Sequence, residues 1–265
     1  MKEKLSIIKI GGQVIDEASE LDSFLKDFAS ITTKKILVHG GGKWVSIMSK
    51  RLGLEVKMIE GRRITDHDTL EVVKMMLPGV ANKNMVAGLQ KYGCDALGFT
   101  GADGGMILAS RRPAKRGIDY GLVGDIIKVD SRKLMKILDL NFTPVFTAMT
   151  HDGKGQLLNT NADTIASSLA VAMSEFFETE LFYCFEQPGV MLDISDKKTR
   201  IPVLTPVLYD NYKSSGIIHS GMVPKIDNAF DALKQGVSRI YICHYHDIGK
   251  FNLAESEVGT LIVNP

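Results

Sequence analysis

Short apolar runs alternate with glycine turns and with helix-spaced apolar residues in the first fifty positions. The run Leu5–Ile10 ends at a pair of glycines, and the run Ile36–His39 ends at three more. Between them, Asp22–Ser30 carries apolar residues three and four positions apart, and a helical stretch follows from Lys43 to Leu52. This repeated order of strand, glycine turn and helix predicts an α/β protein with a parallel sheet.

The same patterns extend through the rest of the chain. They predict a helix over Thr69–Tyr92 that is interrupted at Pro78-Gly79, and a hairpin over Gly117–Val129 around Gly121 and Gly124. A polar gap at Glu178–Glu180 indicates a change of lobe. The other predicted elements are buried strands and two helices, namely strands Asp95–Phe99, Thr143–Ala148, Leu181–Phe185, Val203–Leu204 and Arg239–Cys243, a helix that begins near Asn161 or Asp163, and a helix over Val223–Gln235.

The composition narrows the class of protein. The formal net charge is +1 and charges of both signs are spread along the chain, which argues against a basic surface for nucleic acid or lipid. Three cysteines lie far apart with no CxxC pair, which is typical of free thiols in a reducing compartment. No apolar run approaches the ~18 residues of a membrane span, and Lys9 interrupts the first run, unlike in a signal peptide. We therefore expect a cytoplasmic protein.

Three glycine turns each follow a predicted strand, at Gly11-Gly12, Gly40–Gly42 and Gly101–Gly105. Such a turn presents backbone N–H groups and a helix N-terminus to anions, although a single one is often only a tight connection. Three of them at the carboxyl ends of strands favour a ligand that carries phosphate. The chain has neither the GxxxxGK[ST] nor the GxGxxG fingerprint. An esterase interpretation of "HGGG" fails because no GxSxG nucleophile motif is present.

A few polar residues stand where their chemistry suits an anionic ligand. Lys9 lies in an apolar strand two residues before a glycine turn, which favours a cation on a phosphate over a side chain that reaches solvent. Arg63 in "GRRIT" offers a planar fork for a carboxylate or phosphate, although a solvated surface arginine also fits. In "NTNAD", one of Asn159, Asn161 and Asp163 can cap the following helix, but not all three. The "CHYH" segment lacks a second cluster of ligands, which favours incidental histidines over a metal site.

Five segments occur in an order and spacing that resemble the amino acid kinase superfamily, namely "KIGG", "HGGG", "GRRIT", "NTNAD" and "SGMVPK". Within it the chain is most similar to the N-acetylglutamate kinases, nearly from end to end. The resemblance implies a three-layer α/β/α sandwich with a mainly parallel central sheet. It implies that residues 1–178 hold the amino acid substrate and form a homodimer, and that residues 179–265 bind ATP. The implied reaction is ATP- and Mg²⁺-dependent phosphorylation of the side-chain carboxylate of N-acetyl-L-glutamate in arginine biosynthesis.

The resemblance also implies a role for each matching position. The catalytic residues would neutralise the phosphoryl oxygens or orient the groups that do so, and they are Lys9, Lys225 and Asp163. The substrate would be bound by backbone amides and polar side chains, which are those of Gly41, Gly42, Arg63, Asn159 and Arg62. ATP and its phosphates would be bound at Gly11, Gly12, Glu186 and Gly189. No protein ligand is implied for the metal, which the nucleotide phosphates would hold.

Two positions depart from the family pattern. The segment "FEQPGV" stands where the family has an "SDVxG"-like segment at the nucleotide, so Phe185 and Glu186 replace a Ser-Asp pair while Gly189 is kept. Arg62 stands where an apolar residue is common beside the acyl group, which leads to the hypothesis that N-succinylglutamate is the substrate. The motifs also leave open a different kinase of the superfamily and a catalytically silent relative that binds an amino acid. Arginine-inhibited relatives carry an extra amino-terminal helix, so we expect a dimer without arginine feedback.

Overall fold

The predicted apolar runs form the strands of an α/β fold with a large, mostly parallel sheet. The computed structural model describes residues 2–59, 61–218, 222–252 and 258–264. Its strands are β1 (Lys4–Ile10), β2 (Lys34–His39), β3 (Met58–Ile59), β4 (Arg62–Arg63), β5 (Ala96–Phe99), β6 (Ile107–Arg111), β7 (Gly124–Val129), β8 (Thr143–Thr147), β9 (Met149–His151), β10 (Leu157–Asn159), β11 (Glu178–Phe185), β12 (Val203–Leu204), β13 (Arg239–His244) and β14 (Thr260–Ile262). The predicted fold class is confirmed.

The helices follow the strands in the alternation that the sequence predicts. They are α1 (Gln13–Asp16), α2 (Ala18–Ala29), α3 (Gly42–Arg51), α4 (His67–Lys74), α5 (Asn82–Lys91), α6 (Ser131–Asp139), α7 (Ala162–Met173), α8 (Pro206–Ser214) and α9 (Met222–Lys234). Across the described residues, no helix has both the length and the apolar character needed to cross a membrane.

Side-chain caps fix where α4, α6 and α8 begin. The Asp66 carboxylate accepts a hydrogen bond from the backbone N–H of Thr69 at 2.8 Å and starts α4. Asp130 and Thr205 start α6 and α8 in the same way. A capping side chain satisfies one of the N–H groups that a first helical turn leaves without a partner.

The chain divides into two compact units, and the first consists of Met1–Ile36 and Ala166–Pro265. Its strands lie in the order β12-β14-β13-β11-β1. Strand β1 pairs in parallel with β11, and β11 pairs in parallel with β13, while β14 runs antiparallel to β13. The amino-terminal residues therefore group with the carboxyl-terminal part of the chain through sheet pairing. That residues 1–178 hold the amino acid substrate and residues 179–265 bind ATP stays a prediction.

The second unit spans Leu37–Ile165 and contains strands of three sheets. Strands β2, β8 and β5 are parallel neighbours in that order. A four-stranded sheet has the order β10-β9-β6-β7, and the small hairpin of β3 and β4 stands apart from it. Backbone bonds attach the segment after β4 to the loop before β7, because Thr65 N–H donates to the Tyr120 carbonyl and Leu122 N–H donates to that of Thr65.

The predicted hairpin within Gly117–Val129 is wrong. Strand β7 pairs antiparallel with β6, so its partner precedes the predicted segment in the chain. Gly121 instead forms the close crossing with Thr65 in a loop. Glycines alone could not distinguish a local turn from a close approach between distant segments.

The predicted interruption at Pro78-Gly79 takes the form of a π-helical segment. Residues Met75–Ala81 join α4 to α5 without leaving a helical path. A widened turn can accommodate the proline ring and the missing N–H of Pro78. Leu77 of this segment is buried and contacts the glycine turn described below.

Substituting Gly121 tests the crossing between the Thr65 and Gly121 segments. Gly121 has a φ of +75°, and a Cβ there would overlap the Thr65 carbonyl. We expect Gly121→Ala to lower the free energy of unfolding by about 2 kcal/mol or more. Gly117→Ala is the matched control, because its φ is +77° but nothing lies within 4 Å of a Cβ there. It should cost only about 1 kcal/mol in urea unfolding, and equal losses for both variants would contradict the crossing.

Candidate active site

The glycine turn after β2 brings backbone N–H groups to the start of α3. Gly41 precedes the helix with a φ of +140°, and a Cβ at this position would come within 2.8 Å of Leu77 Cδ2. A side chain is therefore excluded both by conformation and by space. The first N–H groups of α3 have no intrahelical acceptor, and the helix dipole favours an anion beside them.

A buried histidine fixes this turn from behind. His39 is fully buried, and its Nδ1 donates to the Gly40 carbonyl at 2.8 Å. Its Nε2 lies 3.1 Å from Asn82 Nδ2, which also donates to the Val145 carbonyl at 2.9 Å. Burial lowers the pKa of His39 to about 4, so the ring is neutral at neutral pH and Nε2 accepts. Sequence patterns assigned no role to His39 or Asn82, because neither motif nor spacing links residues on β2 and α5.

Close packing supports this hydrogen-bond network. Gly98 of β5 has no side chain where the Asn82 amide oxygen lies, and a Cβ there would overlap that oxygen. Lys83 Nζ donates to the same oxygen at 3.3 Å. Both polar groups of the buried Asn82 side chain therefore have hydrogen-bond partners. Such partners are needed because a buried polar group without a hydrogen bond destabilises the fold. The network fixes the direction of the Gly40 carbonyl. It thereby also fixes the orientation of the Gly41 and Gly42 amides.

Arg63 joins the hairpin of β3 and β4 to the first turn of α3. Its Nη2 donates to the Gly42 carbonyl at 2.8 Å and to Ser46 Oγ at 2.7 Å. Burial lowers the pKa of the guanidinium. The Nη1 atom is buried, and no hydrogen-bond acceptor faces it among the residues that the structure describes. A buried donor of a cation without an acceptor is costly, so this atom suits a bound anion.

The neighbouring Arg62 has a different environment. Successive side chains on a strand point to opposite faces, and Arg62 is exposed whereas Arg63 is half-buried. The interpretation of a solvated arginine therefore fits Arg62 better than Arg63.

Asn159 lies close to the same hairpin. At the end of β10, its Nδ2 donates to Thr65 Oγ1 at 3.0 Å, and its backbone N–H donates to the Leu122 carbonyl. Thr65 is fully buried and lies two residues after Arg63. The structure thus brings Asn159 and Arg63 together through Thr65, which the motifs "GRRIT" and "NTNAD" did not specify.

The start of α7 separates the roles of the polar residues in "NTNAD". Asn161 caps the helix, because its Oδ1 accepts from the backbone N–H groups of Asp163 at 2.7 Å and Thr164 at 3.1 Å. The Asp163 carboxylate, half-buried in the first helical turn, is not needed as a cap. The prediction that one of the three residues caps the helix is confirmed.

Lys9 and Glu186 lie over the glycines at the end of β1 in the first unit. The Lys9 ammonium lies 2.8 Å from where a Cβ of Gly11 would be, so its side chain extends along the strand toward the turn. The Glu186 carboxylate covers Gly12, whose φ is +68°. These contacts bring Lys9 together with three of the positions predicted to bind phosphate or ATP.

Lys225 lies over an aromatic ring of the central strand. Its Nζ is 4.9 Å from the centre of the Tyr183 ring. Tyr183 of β11 is directly beside Lys9 of β1 in the parallel register. Residues in register share one face of a sheet, so the two predicted catalytic lysines approach the same face. Ser220 and Gly221 of the motif "SGMVPK" lie outside the described residues.

Gly189 packs against the segment that contains β14. A Cβ there would come within 2.5 Å of Thr260 Oγ1, which accepts from the Val190 N–H at 2.8 Å. A cavity of about 480 Å³ opens beside it within the first unit. It is lined by Gln187 and Met222 and by residues 189–194 and 215–218. This volume is within the range of about 300–1,000 Å³ that small-molecule sites occupy.

The "CHYH" histidines make local contacts at the end of β13. His246 Nε2 lies 2.8 Å from the Glu20 carboxylate, to which Tyr245 also donates at 3.0 Å. The Nδ1 of His244 accepts from the backbone N–H of His246 at 3.2 Å. No group of three His, Cys, Asp or Glu side chains in the described segments could hold a metal ion.

The comparison with known families agrees with this geometry. The model of the amino acid kinase family matches residues 4–244. The chain belongs to the amino acid kinase family. Among curated relatives, the acetylglutamate kinase of Cytophaga hutchinsonii is 50% identical over 98% of this chain and 99% of its own length. Those of Phocaeicola vulgatus and Methanopyrus kandleri are 48% and 37% identical over 91% and 88% of this chain, and over 94% and 92% of their own lengths.

Solved structures show the same amino acid kinase fold. The N-acetylglutamate synthase from Neisseria gonorrhoeae aligns with a TM-score of 0.82 and 20% identity over 99% of this chain and 60% of that one. Carbamate kinase from Giardia lamblia aligns with a TM-score of 0.72 and 11% identity over 100% and 99% of the two chains. At these identities the likeness shows the fold alone.

The His39 network predicts a pH dependence of stability. Between about pH 6.5 and pH 4 the unfolded chain protonates His39 whereas the folded chain does not. The free energy of unfolding should therefore fall as the pH falls through this window, by up to roughly 3 kcal/mol from this group. His39→Gln should show a shallower fall between pH 6.5 and pH 4 in urea unfolding. An unchanged slope would contradict a buried, neutral His39.

Proposed function

We propose that the protein transfers the γ-phosphoryl group of ATP to the side-chain carboxylate of N-acetyl-L-glutamate, in arginine biosynthesis. The observation that carries the proposal is the buried Nη1 of Arg63, a cationic donor beside the glycine turn that faces no acceptor among the described residues. The names of the similar curated proteins, acetylglutamate kinase, supply the substrate and the reaction class. Together they favour a carboxylate ligand at this turn.

The second unit carries the proposed glutamate site. Arg63 and Asn159 bind the α-carboxylate and nearby polar groups of the substrate, and their link through Thr65 supports a shared ligand. The N–H groups of Gly41 and Gly42 donate to the reacting carboxylate and the transferring phosphoryl group. The exclusion of a side chain at Gly41 supports this assignment, because both anions must come close to the backbone there.

The chemistry needs charge neutralisation more than proton transfer. A carboxylate is already a nucleophile, and attack on the γ-phosphorus forms an acyl phosphate while the bond to the ADP oxygen breaks. The main obstacle is repulsion between the carboxylate and the triphosphate. Lys9 and Lys225 offset that charge, and Asp163 orients the two lysines, so that catalysis consists of positioning and electrostatic stabilisation.

The first unit carries the proposed nucleotide site. Gly11 and Gly12 contact the phosphates, Glu186 binds at the nucleotide beside them, and the cavity beside Gly189 accommodates the nucleoside. Mg²⁺ enters with ATP, bound by its phosphate oxygens, and supplies further positive charge. Glu186 takes the place of the family aspartate in this proposal. The protein acts as a cytoplasmic homodimer that binds neither nucleic acid nor membrane.

Arg63 tests the proposed glutamate site. Replacing it with methionine removes the cation that faces the substrate carboxylate, and we expect the KM for N-acetylglutamate to rise by about 10- to 100-fold. The KM for ATP should change little in an ADP-release assay. Arg62→Leu is the matched control, because it removes the adjacent, exposed arginine and should leave the KM for N-acetylglutamate within a few-fold. Equal KM values for the wild type and Arg63→Met would contradict the assignment.

Arg62 supports a second candidate substrate, N-succinyl-L-glutamate. Arg62 stands where the family commonly has an apolar residue beside the acyl group, and its exposed cation could pair with a carboxylate on a longer acyl group. If so, kcat/KM for the succinyl compound should exceed that for the acetyl compound, and Arg62→Leu should reduce the succinyl value by about 2- to 5-fold. A strong preference for the acetyl compound that Arg62→Leu leaves unchanged would exclude the succinyl substrate.

A further inference from the structure

Tyr183 is a polar aromatic residue in the middle of an apolar strand. It is 1% exposed, and its strand β11 is paired on both sides, by β1 and by β13. The proposed reaction assigns no role to it. A tyrosine in such a strand presents an aromatic face that a leucine or valine would not, so its presence calls for a reason beyond filling space.

Tyr183 is adjacent to both of the proposed catalytic lysines. On one side, Tyr183 is the direct register partner of Lys9 in the parallel pair of β1 and β11. On the other, Lys225 Nζ lies 4.9 Å from the ring centre, within the ≈ 6 Å over which a cation is attracted to an aromatic face. The ring therefore contacts one lysine and neighbours the other.

Lys225 occupies a position where a cation needs compensation. It is the fourth residue of α9, and the N-terminal end of a helix repels positive charge. Lys9 adds a second positive charge on the same face of the sheet. The electron-rich face of Tyr183 attracts this ammonium and does not itself carry a charge that would neutralise it.

We propose that Tyr183 is a positioning residue that holds the Lys225 ammonium over its ring, beside Lys9, before the nucleotide is bound. This inference rests on the proposed function of Lys225. A preorganised cation stabilises the transferring phosphoryl group without the cost of reorganising a mobile side chain during the reaction. The ring acts through its electron density, so its hydroxyl contributes little to the rate.

Fluorination of the ring tests this role without changing its shape. Tyr183 is replaced with phenylalanine and with its 4-fluoro, 3,5-difluoro and 3,4,5-trifluoro derivatives, and kcat is measured at saturating ATP and N-acetylglutamate. Tyr183→Phe should keep kcat within about two-fold, and each added fluorine should lower it, by about 2- to 30-fold across the series. The KM for N-acetylglutamate should stay constant, since that substrate does not contact the ring.

Phe28 provides the matched control. It is fully buried in the first unit, and Lys35 Nζ lies 5.2 Å from its ring centre. The same fluorinated series at Phe28 should leave kcat unchanged, because Lys35 has no part in the proposed reaction. A flat series at Tyr183, an equal fall at Phe28, or a large loss with Tyr183→Phe alone would overturn the proposal.

Lys225→Met separates this inference from the proposed function. If that variant loses activity while the fluorinated series at Tyr183 is flat, Lys225 is catalytic and only the role of Tyr183 is rejected. If Lys225→Met keeps the wild-type kcat, the proposed function of Lys225 fails and the role of Tyr183 fails with it. A decline along the series together with an inactive Lys225→Met supports both.

Discussion

The hydrogen bond from His39 to the Gly40 carbonyl is the interaction on which the candidate glutamate site depends. It fixes one peptide of a turn that has no side chains of its own to hold it. Asn82 determines which ring nitrogen carries the proton, and the missing side chain of Gly98 leaves room for Asn82. The orientation of the Gly41 and Gly42 amides, and the carbonyl to which Arg63 donates, follow from that one peptide. The glycine turn after β2 is conformationally permissive, and its buried neighbours His39 and Asn82 give it a defined geometry.

In the first unit, the structure brings positively charged side chains close to one face of the sheet. Lysines at the end of β1 and the start of α9 approach one face of the sheet through strand register and an aromatic contact. The glycines after β1 leave space for the Lys9 and Glu186 side chains. In both units the glycines matter for the groups that come close to them. After β2, the close approach of Leu77 explains the glycine at Gly41, although glycine lowers the stability of regular structure.

The sequence predicted those parts of the structure that arise from local patterns. Apolar runs that end in glycine identified β1 and β2, and helical spacing identified α2, α3 and α9. The pairing of β6 with β7 was missed because strands of five and six residues carry too little alternation to reveal a distant partner. Helices α6 and α8 were not predicted, although Asp130 and Thr205 provide caps that a search for helix starts could have found.

The same limit applies to the candidate site. Motif order gave Arg63, Asn159, Lys9 and Lys225, because their residue types suit anions in the context of a known family. It could not give His39, Asn82 or Tyr183, whose roles depend on contacts between distant segments. Their residue types alone allow a buried histidine, a helix amide and a core aromatic. Only the hydrogen-bond partners and the strand register distinguish these residues from ordinary core positions.

Trapping of the acyl phosphate product tests the central claim most directly. The purified protein is incubated with ATP, Mg²⁺, N-acetyl-L-glutamate and hydroxylamine, which converts an acyl phosphate into a stable hydroxamate. Phosphoryl transfer to the carboxylate predicts a hydroxamate that forms only when both ATP and the acylated glutamate are present, in step with ADP release. The absence of a hydroxamate with both the acetyl and the succinyl compound would contradict that transfer and favour a catalytically silent binding protein.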